Sequence, residues 1–246
     1  MIPKKIHYCW FGKNPLPELA IKCINSWKEH FSDYEIIEWN ESNFDVNVIP
    51  YTAEAYRLKK YAFVSDYARF WILYKYGGIY FDTDVEVIKN IDDIVSRGAF
   101  MGCELAPINN GPLVPIIAPG LGMGAPAGHI LYKEVLDYYQ KNHFMSLKGR
   151  ITGTVVQIVS SILLGDKTVN LYNIVKLKDV YIYPNDYFCP MIALTRETNI
   201  TDNTRSIHHY TATWKNNKSN RLKNIKQRLV NIYVRIIVQM KFFLKH

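Results

Sequence analysis

Apolar and polar positions alternate between two periods along this chain, and the switches between them mark its elements. Residues 2–11 (IPKKIHYCWF) read as a first strand, broken at Gly12 and followed by the loop Lys13-Asn14-Pro15. Pro17 then opens a helix to about residue 30, with Leu19, Ile24 and Trp27 inward. Residues 34–39 give a second strand, residues 40–50 a polar connection, and residues 51–60 the start of a helical region. Strand and helix alternating from the outset predict an α/β sheet.

The densest pattern lies at residues 61–87, YAFVSDYARFWILYKYGGIYFDTDVEV. Ala62, Phe63, Tyr67, Phe70, Trp71 and Tyr74 recur at helical spacing, and Gly77-Gly78 supplies the left-handed stop. Ile79-Tyr80-Phe81 has the makeup of a buried strand, and Asp82-Thr83-Asp84 stands at its end. Further on, residues 91–96 predict a short helix and residues 99–103 a strand. The Gly- and Pro-rich residues 107–126 read as a loop holding one short strand near residues 116–118. Two amphipathic helices follow, at residues 128–142 and 151–164, then a late strand at residues 180–183 and an irregular stretch to residue 204.

Composition adds a globular core: 48% of the 246 residues are hydrophobic and 14% aromatic, which excludes a disordered chain. The formal charge of +8 changes meaning once it is located. Residues 203–246 carry ten Lys or Arg and no acid, so residues 1–202 hold 20 basic and 22 acidic residues, a net charge of −2. A body of that charge excludes a nucleic-acid backbone binder. In the tail, Leu222, Ile225, Leu229, Ile232, Tyr233, Ile236, Met240 and Phe243 fall at three- and four-residue steps among the basic residues. That is a basic amphipathic helix, expected to lie on an anionic membrane surface, the plainer alternative being a terminal helix packed on its own domain or on a second subunit. Two units follow: residues 1–214 as the domain and residues 215–246 as the tail. The four cysteines are scattered without C-x-x-C spacing, so neither a zinc motif nor a disulfide framework is expected, and the setting is cytoplasmic.

Asp82 and Asp84 at a strand end suit Mg²⁺ or Mn²⁺, held by carboxylate oxygens and water as a clamp on a diphosphate. Asp66 and Arg69, three apart, share a helix face with each other. Taken singly, each feature has a plainer role: Asp-x-Asp as a solvated turn, Trp10 as a core aromatic, Asp66 and Arg69 as an ordinary ion pair.

Together they resemble one family. The segment SDYARFWILYKYGGIYFDTDVEV resembles the signature of DXD-containing sugar transferases of glycosyltransferase family 32. That family is related to the glucosylating clostridial toxins, α-1,4-galactosyltransferases and yeast-type α-mannosyltransferases. IPKKIHYCWFG resembles its first strand, TGTVVQ from Thr152 its TGP-like segment, and HHYTATW from His208 its closing His/Trp motif. Thr154 departs from the family, which has Pro there, and the filling between Asn110-Gly111 and Gly128-His129 differs as well.

The resemblance implies a GT-A fold, a Rossmann-like nucleotide-binding sheet flanked by helices. It implies that Trp10 stacks on the base of a nucleotide-sugar, with Phe11 and Gly12 shaping the pocket. Asp66 and Arg69 would hold the donor sugar and its phosphate side. Asp82 would reach the donor through the metal shell and Asp84 would bind the metal. His208 or His209 would complete that shell, and Trp214 would close over the diphosphate. The activity implied is a metal-dependent, retaining transfer of a hexosyl group from a nucleotide-sugar, UDP-linked by preference. With the basic tail, this points to a lipid-linked saccharide acceptor at the cytoplasmic face of a membrane, in the assembly of a bacterial capsule or similar surface polysaccharide. Two other readings remain at this point. A haloacid-dehalogenase-type phosphatase also places Asp-x-Asp after a strand, but expects Ser or Thr where Glu86 stands. A non-catalytic membrane- or glycan-binding protein would use the acids as a Ca²⁺ turn.

Overall fold

The alternation of periods folds into one mixed sheet with helices on both faces. The computed structural model describes residues 1–107, 111–146 and 151–211. Trp214 and the basic amphipathic tail lie outside the described residues.

Strand β1 (Lys5–Cys9) runs into helix α1 (Glu18–His30), which returns the chain to β2 (Glu35–Trp39) parallel to β1. Helices α2 (Pro50–Arg57) and α3 (Tyr61–Tyr76) then carry the chain across to β3 (Gly78–Tyr80), parallel to β1 on its other side. The order β2-β1-β3 reverses at β1, and in open α/β sheets such a reversal opens a crevice beyond the carboxyl ends of the strands. The residues after β1 and after β3, Trp10 and Asp82, both fall at that edge.

Beyond β3 come β4 (Val85–Val87), α4 (Asp92–Arg97) and β5 (Phe100–Pro107). β6 (Leu113–Ile117) forms a hairpin with the outer half of β5. A 3-10 turn at Pro119–Leu121 leads to β7 (Met123–Ala125), which runs antiparallel between β3 and β5. Helices α5 (Ile130–Lys141) and α6 (Val155–Leu164) precede β8 (Val175–Leu177) and β9 (Val180–Tyr183) at the far edge. Then α7 (Asn185–Phe188) and β10 (Ser206–His208) close the described chain, with β10 pairing antiparallel to β4 in a separate ribbon.

Alternation along the strands sorts the core into two layers. Ile6, Tyr8, Ile79 and Phe100 face the side packed by α1, α4 and α7. Cys9, Tyr80, Met101 and Ile182 face α2, α3, α5 and α6. The expected α/β layout, a sheet flanked by helices on both faces, is the one found.

Three details depart from the pattern. Helix α3 does not bury one apolar stripe: Val64 through Phe70 are all buried, Asp66 and Arg69 included, because the helix lies between the sheet and α2 and α5. Residues 107–126 are not mainly loop, since β7 completes the centre of the sheet. Its sequence Met-Gly-Ala has too little side chain to carry a period-2 signal, and Gly124 takes the Phe100 ring where a Cβ would come within 2.5 Å. Helix α6 starts at residue 155 rather than 151, since Thr154 caps it. The Thr154 hydroxyl accepts from the Gln157 amide, and the Gln157 side chain accepts from the Thr154 amide at 3.0 Å. The Thr that stands where the family has Pro is thus a capping-box residue. Thr154→Ala should cost about 0.5–2 kcal/mol, read as a lowered denaturation midpoint with an unchanged slope.

Candidate active site

Helix α3 ends at Gly77, whose φ of +66° turns the chain directly into β3. The helix therefore packs antiparallel beside its own strand, and Arg69 comes to lie against the strand's end. Its guanidinium sits 2.9 Å from Asp66 and 3.2 Å from Asp82, with the Tyr80 ring 4.9 Å away beneath it. Arg69 Nε also donates to the Ser65 carbonyl at 3.1 Å, so each face of the fork has a fixed partner. Burial alone would lower the Arg69 pKa, but Asp82, Tyr80 and Asp66 more than offset it and keep the group charged. Burial pushes the Asp66 carboxyl up to about 7, with Arg69 pulling the other way. Burial raises Asp82 too, against the opposing pull of Arg69.

Asp82 is held from three sides. Arg69 reaches both of its oxygens, Tyr80 donates to Oδ1 at 3.2 Å, and the Asp82 amide donates to the Gly120 carbonyl at 2.9 Å. A Cβ on Gly120 would stand 1.9 Å from Asp82 Oδ2, so the 3-10 turn approaches the acids as closely as only glycine allows.

Asp84 faces a different set. Its Oδ1 lies 3.1 Å from His208 Nε2, while Oδ2 accepts from both the amide and the hydroxyl of Thr211 at 2.9 Å. Burial would raise this carboxyl, but His208 and Thr211 hold it well below the usual carboxylate range. His208, lowered by burial, is carried the other way by Asp84 and, after it, Cys189, to about 10. The pairing of β10 with β4 makes the contact, and the His209 amide donates to the Asp84 carbonyl at 2.9 Å.

The pH dependence follows with opposite signs for the two partners. Asp84, depressed on folding, contributes stability above the unfolded carboxyl pKa and loses it in acid. His208, raised on folding, contributes fully below its unfolded pKa and loses that contribution as pH rises through about 10. The stability gap between wild type and His208→Asn should therefore be widest between about pH 4 and 6.5 and close progressively towards pH 10, measured by denaturation.

Of the residues singled out in the sequence, the structure brings Asp66, Arg69, Asp82, Asp84 and His208 together. His209 is a correction. It lies one residue past β10, and its Nε2 bonds Glu86 at 2.8 Å, beside Lys22, leaving it as a partner of the ribbon rather than of the acids. Phe11 is another: it is buried and packs edge-on against Phe44, so it supports the core instead of lining a pocket.

Trp10 lies half-buried at the end of β1, its indole N–H given to the Asn14 carbonyl at 2.7 Å. It lines an open cleft with Lys13, Glu38, Asn40, Glu41 and Ser42, on the β1–β2 side of the strand-order reversal. Gly12 does not line that cleft itself but holds one of its residues, its amide donating to Glu41 at 2.7 Å. Tyr80, Gly120 and Thr211 were not singled out in the sequence. Gly120 lies in a run of four glycines within residues 111–124, the one signal pointing to the close approach.

The chemistry of the acid end fits a divalent cation. Asp84 supplies an ionised carboxylate and Asp82 a neighbouring carboxylate oxygen, hard oxygen donors suited to Mg²⁺ or Mn²⁺, while His208 orients Asp84 through Nε2. A phosphatase of the dehalogenase type would need Asp82 as a free nucleophile. Arg69 holds both of its oxygens instead, and Glu86 is committed to Lys22 and His209.

Comparison with known proteins settles the family. The model of the glycosyltransferase sugar-binding region containing a DXD motif matches residues 17–101. An uncharacterised glycosyltransferase of Acanthamoeba polyphaga mimivirus is 30% identical over 211 residues, covering 77% of this chain and 78% of the relative. The chain belongs to the DXD-containing glycosyltransferases. Inositol phosphoceramide mannosyltransferase 1 of Schizosaccharomyces pombe is 29% identical over 118 residues, 44% of this chain. The match spans only 35% of that relative's length. Among solved structures, the PaToxG glycosyltransferase is 18% identical with a TM-score of 0.44, covering 65% of this chain and 69% of the other. Within this family, Asp82 and Asp84 are the DXD pair, and the matched residues 17–101 contain Asp66 and Arg69 as well.

Proposed function

We propose that this glycosyltransferase moves a hexosyl group from a nucleotide-sugar to a saccharide hydroxyl with retention of configuration, using Mn²⁺ or Mg²⁺. The observation that carries the reading is the division of labour between the two acids. Asp84 is ionised and oriented by Thr211 and His208, whereas Asp82 is bound to Arg69. A bound cation would neutralise charge on a diphosphate leaving group. This chain's own residues would do the rest. Trp10 would offer an indole face to the base at the β1 edge of the same crevice. Arg69 and Asp66 would meet the sugar and its phosphate from behind the acids. The 3-10 turn at Gly120 would close the floor.

UDP is the preferred carrier, and the acceptor is a lipid-linked saccharide, met at the cytoplasmic face of a membrane by the basic tail. Surface-polysaccharide assembly in a bacterium is the setting. A relative named for inositol phosphoceramide supports a lipid-borne acceptor. The test is calorimetry and thermal shift with UDP, GDP and their sugars, with and without Mn²⁺. A UDP-sugar should raise the melting temperature only when the metal is present, since a ligand that binds the native state stabilises it. Product analysis should then show an α-linked sugar from an α-linked donor. No nucleotide affinity in the presence of metal would overturn the reading.

A further inference from the structure

His208 presents a second donor cluster on the side away from Asp84. Glu104 on β5, Cys189 after α7 and His208 at the end of β10 bring a carboxylate oxygen, a sulfur and an imidazole nitrogen within 4.8 Å of one another. These elements are tied together independently of any ligand. The Cys189 amide donates to Asn185 at 2.8 Å as α7 ends, Ser206 Oγ donates to the Phe188 carbonyl at 3.2 Å, and β10 is paired with β4. Of the two His208 nitrogens, Nε2 faces Asp84, while Nδ1 is buried without a hydrogen-bond partner. A buried nitrogen left so is costly, and it marks the atom that a ligand would satisfy.

We propose that Glu104, Cys189 and Nδ1 of His208 form a site for a thiophilic divalent cation such as Zn²⁺. Thiolate, imidazole and carboxylate are the ligands this ion takes, and three protein ligands leave a fourth position open. Mg²⁺ prefers oxygen ligands and would not use the sulfur. Binding takes Cys189 as the thiolate, its proton passing to solvent. Tyr210 supplies the outer contacts. Its hydroxyl donates to Glu104 Oε2 at 2.8 Å and lies 3.0 Å from Cys189 Sγ, and its ring lies 4.2 Å from the imidazole. With Nδ1 on the cation, Nε2 carries the proton and donates to Asp84, the carboxylate–histidine–metal arrangement that fixes an imidazole's tautomer. The site does not depend on sugar transfer.

The test is a Co²⁺ titration of the full chain under a non-thiol reductant, Co²⁺ standing in for Zn²⁺. Wild type should develop a thiolate-to-cobalt charge-transfer band that saturates at a single equivalent, is bleached by Zn²⁺ and survives excess Mg²⁺. Cys189→Ser should lose the band, while Cys103→Ser, which removes a different buried thiol of β5, keeps it. Glu104→Gln should keep the band with affinity weakened about tenfold or more. Thermal melts of each variant verify folding. No band in wild type, or a band that persists in Cys189→Ser, would overturn the site. Because the band reports sulfur ligation alone, failure of the transferase reading would leave this result untouched.

Discussion

Asp84→Asn should remove turnover while leaving the protein folded. The substitution is isosteric, and the side-chain oxygen can still accept from the Thr211 amide and hydroxyl that now bind Oδ2. The new amide nitrogen then faces His208 Nε2, which accepts as a neutral imidazole, so the β4–β10 ribbon keeps its contact. What is lost is charge. Asp84 is the acid of the pair whose carboxyl is held ionised, whereas burial raises Asp82 and Arg69 occupies both of its oxygens. Removing it should weaken cation binding and cost turnover by about 10³-fold, the scale of losing a donor that stabilises developing charge. Metal-dependent hydrolysis of the nucleotide-sugar is the assay, with the melting curve as the control. Activity within tenfold of wild type would remove Asp84 from the metal shell.

How far the sequence foretells this differs from residue to residue. The helix, glycine stop, strand and acids of residues 61–87 are legible because each is local: a 3.6-residue period, a cap and a β-branched run, with the polar pair at the end. The burial of Asp66 and Arg69 was not legible, since a helix packed on several sides has no stripe to read. The doublet His208-His209 shows the same limit from the other direction. Of the two, His208 at the end of β10 meets Asp84 and His209 just past it meets Glu86, and which is which depends on register with β4, a non-local fact. β7 escaped because glycine and alanine carry no pattern, although sheet geometry puts them at its centre. Gly120, Thr211 and the Glu104–Cys189–Tyr210 group lie far from the acids in sequence and reach them only through tertiary packing.

Arg69→Met should be the most destabilising single change near the site, and its cost should depend on pH. Arg69 is 4% exposed and is the shared counter-ion of Asp66, at 2.9 Å, and Asp82, at 3.2 Å. Methionine fills a similar volume among Tyr80 and the helix backbone, so packing changes little and the electrostatic term dominates. Removing one partner from a buried ionic group costs about 3–5 kcal/mol because the remaining charge is left unpaired. The protein has one route of relief, which is to protonate the carboxyls. Asp66 is already pushed up to about 7 by burial even with Arg69 beside it, and losing the guanidinium must raise it further. A carboxyl whose folded pKa exceeds its unfolded value binds more protons when folded, so stability falls as pH rises between the two. Chemical denaturation should therefore show a smaller deficit at about pH 5 than at pH 8, and Asp66→Asn in the same chain should recover part of the loss. A deficit independent of pH would mean that Arg69 stabilises the fold by packing alone. The three charges would then be independent of one another, and the acids would not depend on the helix behind them.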